Sequence, residues 1–203
     1  MGTHDGVCAV NTSDGGMSWT RGNIMPLANA AARLSVSPVE PERAYLAAYE
    51  AGVYKTNDGG VTWCHLTSYP TDYAHSVLAH PEQPGVLFAG SEPAAVFRSD
   101  DGGESWSECN GFRQANHSNG WTFHGDRLSH VRELRTAPGG SSTIFAGVEV
   151  GGVIKSTDDG KTWNQLDGLN DDIHLVDISR ANPQRIYVAT AQAPYRSDGG
   201  GQN

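Results

Sequence analysis

A chain of 203 residues with 23 acidic and 14 basic side chains, net charge −9, has no basic stripe to track a phosphate backbone, so nucleic acid is not an expected partner. No apolar run approaches the ~20 residues that cross a bilayer. Met1-Gly2-Thr3-His4-Asp5 also lacks a charged-then-apolar leader, which predicts no membrane partner and a cytoplasmic location.

In chain order, residues 1–30 read as the outer half of a repeating unit whose marker is Thr12-Ser13-Asp14-Gly15-Gly16-Met17-Ser18-Trp19. The next unit, about 31–74, has apolar strands at Tyr45–Ala48 and Val53–Lys55 and then Thr56-Asn57-Asp58-Gly59-Gly60-Val61-Thr62-Trp63. Over 75–129 the order is Ser76–Ala79, a turn at Pro81, Val86–Ala89, Val96–Arg98 and the marker from Ser99 through Asp101 to Trp106. Over 130–173 it is Val131–Leu134, Pro138, Ile144–Ala146, Val153–Lys155 and the marker from Ser156 through Asp158 to Trp163. The last stretch, 174–203, repeats Leu175–Ile178, Pro183 and Ile186–Ala189; Ser197 then opens a fifth marker in which Gly199 stands where the aspartate belongs.

The marker explains its own residues. An Asp side chain accepts N–H bonds from the turn that follows it, glycine permits positive φ, and Ser or Thr hydroxyls satisfy further turn groups. The Trp then opens the next strand and can bury its ring between neighbouring strands. The aspartates recur at intervals of 44, 43 and 57 residues, and four of the five tryptophans share one marker position. That period fits a four-stranded propeller blade.

The chain thus resembles the BNR, or Asp-box, propeller families, among them sialidases, sortilin-type receptors, xyloglucan-cleaving glycosidases, the photosystem II assembly factor and bacterial glycosyl-hydrolase-like proteins. The resemblance implies an all-β Asp-box propeller with four-stranded antiparallel blades. About 45 residues per blade is too many for 203 residues to close a six- or seven-bladed ring. The expectation is a single-domain arc of three whole blades between two partial ones; a four-bladed ring that merges both ends is the alternative.

An up-and-down blade puts the turn after its second strand and the start of its inner strand on the face opposite the boxes. That face gathers Glu50, Glu92 and Glu149, with Asp5 and Gln192 in the partial units, and His75, His130 and His174 before the inner strands. Arg132 can hold an anion or pair with Glu133 or Glu149. The longest link, 107–129, holds Trp121, Phe123, His124, Asp126 and Arg127, and Trp121 suits stacking on a sugar or a partner.

Carboxylate pairs can run glycoside hydrolysis, which makes Glu92 and Glu149 the catalytic candidates. Against this, the Arg-Ile-Pro segment expected of a sialidase is absent. The first reading is therefore a non-catalytic module that binds a carbohydrate or protein ligand on this face. A glycoside hydrolase completed by further blades is the alternative. Histidine and carboxylate can ligate metal, but repeated turn residues serve equally as caps, and neither cofactor nor metal is assigned. Cys8, Cys64 and Cys109 lack CxxC spacing and are read as reduced thiols.

Overall fold

The computed structural model describes residues 2–3, 6–27, 31–119, 121 and 128–202. Five antiparallel sheets follow one another along the chain. The first holds β1 (Gly2–Thr3), β2 (Gly6–Asn11) and β3 (Thr20–Pro26). The second holds β4 (Ala31–Val36), β5 (Ala44–Ala48), β6 (Gly52–Thr56) and β7 (Cys64–His65). The third comprises β8 (Ala74–Ala79), β9 (Leu87–Ser91), β10 (Val96–Ser99) and β11 (Ser107–Glu108), and helix α1 (Asn110–Asn119) follows it. The fourth comprises β12 (His130–Ala137), β13 (Gly140–Glu149), β14 (Gly152–Ser156) and β15 (Asn164–Gln165). β16 (Ile173–Ile178), β17 (Ile186–Thr190) and β18 (Pro194–Ser197) complete the fifth.

Inner strands touch in series, β4 on β8, β8 on β12 and β12 on β16, so the sheets stand as blades around a common axis in an open propeller. The core lies between blades and not within them. Tyr45, Ala47 and Val53 of the second sheet pack on Val77, Leu87 and Ala89 of the third, and Phe145 and Val153 of the fourth pack on Ile173 and Val188 of the fifth. Small residues allow this approach. A Cβ on Gly90 would lie 2.4 Å from Ser76 Oγ and 2.5 Å from Val131 Cβ, while the Ser76 hydroxyl donates to Val131 O of the next blade at 2.7 Å.

Each box is a hydrogen-bonded hairpin of one design. In the third, Asp101 Oδ1 accepts the Ser105 N–H, its Oδ2 accepts the Ser105 hydroxyl, and Ser99 Oγ accepts the Gly103 N–H. The Trp19, Trp63, Trp106 and Trp163 indoles each donate to the carbonyl three residues back. Gly103 and Gly160 hold φ of 92° and 84°, the left-handed region that glycine enters without penalty. In the fifth, Ser197 Oγ still receives the Gly201 N–H at 2.9 Å although Gly199 replaces the aspartate.

The basic residue next to last in β6, β10 and β14 ties one blade to the next. Lys55 Nζ donates to Gly102 O, Arg98 to Asp159 O and Lys155 Nζ to Gly200 O, in each case the fourth position of the following box. The boxes therefore form a chain of contacts around one face.

The long link after Trp106 passes through β11 into helix α1. Phe112 and Ala115, one turn apart, are buried, and Gly111 lies so close to Lys161 that a Cβ would meet its carbonyl oxygen at 2.3 Å. Cys8 and Cys109 are buried, Cys64 is exposed, and none is in a disulfide. Burial pushes the Cys109 thiol up to about 12, which leaves it unreactive. Among the described residues no helix is long and apolar enough to cross a membrane.

Candidate functional site

Four inner strands begin with the same irregularity. Pairing skips Ala32 in β4, His75 in β8, Arg132 in β12 and His174 in β16, so each inner strand carries a one-residue bulge at the end away from its box. A bulge bends the strand and re-aims a side chain. His75 and His174 are thus structural equivalents, whereas His130 lies two residues before the bulge of its blade. The three histidines, all expected before the inner strands, therefore do not occupy one repeated position.

Register also corrects the carboxylates. Ala48 faces Gly52 and Val148 faces Gly152, so the counterpart of Glu149 is Tyr49 and that of Glu50 is Val150. Glu50 and Val150 share the left-handed backbone, φ 58° and 56°. The Tyr49 ring instead sits 4.9 Å from the His75 ring and 5.5 Å from Tyr73.

Five of the expected residues converge between the third and fourth blades. The His75 and His130 rings stack at 3.9 Å, 23° from parallel. Glu92 Oε2 is 3.0 Å from His75 Nε2 and 3.7 Å from His130 Nδ1, while His130 Nε2 is 3.1 Å from Glu149 Oε2. Glu149 also accepts from the Arg132 guanidinium. Burial, and then the neighbouring His130, Arg132 and Arg33, lowers the His75 pKa to about 3, so its imidazole is neutral across the physiological range. Beside this cluster a 310 Å³ cleft opens along Thr71, Ser91, Glu92, Pro93, Phe97 and Arg113.

Three expected residues stand apart. Glu50 is exposed on its turn. His174 is 45% exposed and pairs within its own blade with Asp172, Nε2 to Oδ1 at 3.3 Å. Trp121 packs its edge on Phe112 at 5.5 Å and directs Nε1 to Gln165 Oε1 at 3.4 Å, so its indole caps the helix against the fourth blade. Asp5, Phe123, His124, Asp126 and Arg127 lie outside the described residues.

Three further residues, Arg33, Glu133 and Arg135, form an ionic group of their own. Glu133, 1% exposed, pairs with Arg33 at 3.2 Å and with Arg135 at 2.6 Å. Arg33 and Glu133 come from blades two apart, and no spacing in the sequence signals that meeting.

The fold and site define a β-propeller with a polar cluster on the face opposite its boxes. No protein-family profile and no curated protein matches the sequence. Among solved structures, the chain is similar to an ancestral GH74 enzyme (TM-score 0.70, 17% identity), with 85% of this chain covering 23% of that one. It is similar to the GH74 xyloglucanase from Xanthomonas campestris (TM-score 0.70, 15% identity; 97% of this chain, 33% of that one). YCF48 from Cyanidioschyzon merolae also matches (TM-score 0.51, 14% identity; 85% and 57%). These likenesses concern the fold, and the chain spans about a quarter to a third of the GH74 chains.

Proposed function

We propose that this chain is an Asp-box propeller module that binds a protein or carbohydrate ligand, without turnover, on the face opposite the boxes. The observation that carries the reading is the position of His130 between Glu92 and Glu149. A glycosidase pair must face each other across a substrate, one protonating the leaving group and the other attacking or activating water. Here an imidazole fills that space, and Glu149 is further engaged by Arg132. Such an interlocked cluster is rigid and polar, and with the neighbouring cleft it suits recognition.

The second reading is a glycoside hydrolase. It is favoured by two carboxylates on one face of a fold shared with GH74 enzymes.

Incubation with aryl glycosides and xyloglucan, alongside glycan and overlapping-peptide arrays, separates the two readings. The binding reading predicts no turnover, together with an array signal that weakens on Arg132→Ala. Turnover abolished by Glu92→Gln or Glu149→Gln would establish the hydrolase, and silence on every array would remove the binding reading.

A further inference from the structure

His130 carries an unusual load: carboxylate oxygens approach both of its ring nitrogens, Glu149 at Nε2 and Glu92 at Nδ1. The shorter contact is 3.1 Å to Glu149, and Nδ1 faces Glu92 Oε2 at 3.7 Å. The same Glu92 oxygen is 3.0 Å from His75 Nε2, so three potential donors surround one point.

The geometry points to a binding site for a divalent transition-metal ion of the zinc type, ligated by His75 Nε2, Glu92 Oε2 and His130 Nδ1. These atoms all lie within 4.8 Å of one another. Zinc–ligand bonds of about 2.0–2.2 Å place the ligand atoms of a tetrahedral site roughly 3.3 Å apart. The observed separations of 3.0 and 3.7 Å bracket that figure. Two imidazoles and one carboxylate match zinc, cobalt and nickel better than calcium or magnesium, which prefer all-oxygen sites.

The surroundings carry the outer features of a metal centre. A ligating histidine commonly donates its other N–H to a carboxylate, which fixes the tautomer and orients the ring. Glu149 takes that place at His130 Nε2 and is itself held by Arg132. Of the nearby cations, Arg132 pairs with Glu149 and Arg33 with Glu133. Three protein ligands leave a coordination position for water or for a donor atom of a bound molecule. The three come from the β8 bulge, the turn after β9 and the first residue of β12, so an ion there would pin two blades together. The site follows from the cluster alone and stands or falls independently of the ligand-binding reading.

The test is calorimetric titration of chelator-treated protein with zinc chloride, with cobalt substitution followed by visible absorption. One saturable ion per chain is expected, with cobalt bands typical of low coordination number. Glu92→Gln, which keeps shape and removes charge, should abolish binding, as should His75→Ala and His130→Ala. Glu149→Gln should keep the stoichiometry and weaken affinity by about 10- to 100-fold. Near-UV circular dichroism identifies any variant that unfolds; for such a variant, imidazole ¹⁵N shifts of the parent protein on zinc addition replace it. Absence of saturable binding, binding that survives Glu92→Gln in folded protein, or zinc-induced shifts that spare His75 and His130 would overturn the assignment.

Discussion

Arg33 and Glu133, a hundred residues apart and on the second and fourth blades, meet at 3.2 Å. The pair spans the intervening blade, which is possible only because β4, β8 and β12 curve around one axis. Glu133 is buried, while Arg33 and Arg135 are 35% and 41% exposed and keep part of their hydration. Glu133→Gln should therefore lower stability by about 1.5–3 kcal/mol, the range for hydrogen bonds to charged groups. Urea denaturation measures it, and an unchanged midpoint would mean that the bridge adds nothing.

The box tryptophans should differ in importance despite identical sequence roles. Trp163 is 5% exposed and meets Phe112 at 5.2 Å, whereas Trp19 is 61% exposed. Trp163→Ala is expected to cost about 3–5 kcal/mol and Trp19→Ala about 0.5 kcal/mol or less. Thermal melts of the two variants make the comparison.

The seam between the third and fourth blades tolerates no added volume at Gly90. An alanine there would press its methyl into Ser76 and Val131, both buried. Destabilisation of about 1–3 kcal/mol is expected. Pairing Gly90→Ala with Ser76→Gly should return part of the loss, as a double-mutant cycle would reveal.

Acid should loosen the boxes. Hydrogen bonds from Thr62, Ser105 and Thr162, hydroxyl first and then backbone, hold Asp58, Asp101 and Asp158 at about 2, and Ser18 with Thr12 lowers Asp14 further. A carboxyl whose folded pKa lies below its unfolded value of ~3.9 adds stability that is complete above that value and is lost as pH falls toward the folded one. The melting temperature should therefore decline between about pH 4 and pH 2. Asn at 58, 101 and 158 together should flatten that decline, and a profile unaltered by the triple change would place the acid sensitivity elsewhere. Because these groups are solvent-accessible, each contributes a shallow slope.

The antiparallel sheets and the hydrogen bonds of the boxes were legible in the sequence because they depend on short-range requirements: an aspartate, a left-handed glycine and an indole at fixed offsets. Up-and-down connectivity dictates which strand ends share a face, and that is as far as spacing could group Glu92, Glu149, His75, His130 and Arg132. What spacing could not reveal is register. Pairing of the second and third strands makes Tyr49, not Glu50, the counterpart of Glu149, and the bulge at Arg132 separates His130 from the column of His75 and His174. Helix α1 was also hidden, because among its described side chains Phe112 and Ala115 are the buried ones in a largely polar segment.

The inner-strand bulge divides labour within each repeat. Its occupant, Ala32, His75, Arg132 or His174, is excused from the ladder, so its chemistry can change without disturbing strand pairing or the seams that hold neighbouring blades together. Recognition chemistry can therefore differ from blade to blade at this one position while the repeat's own hydrogen bonding stays the same.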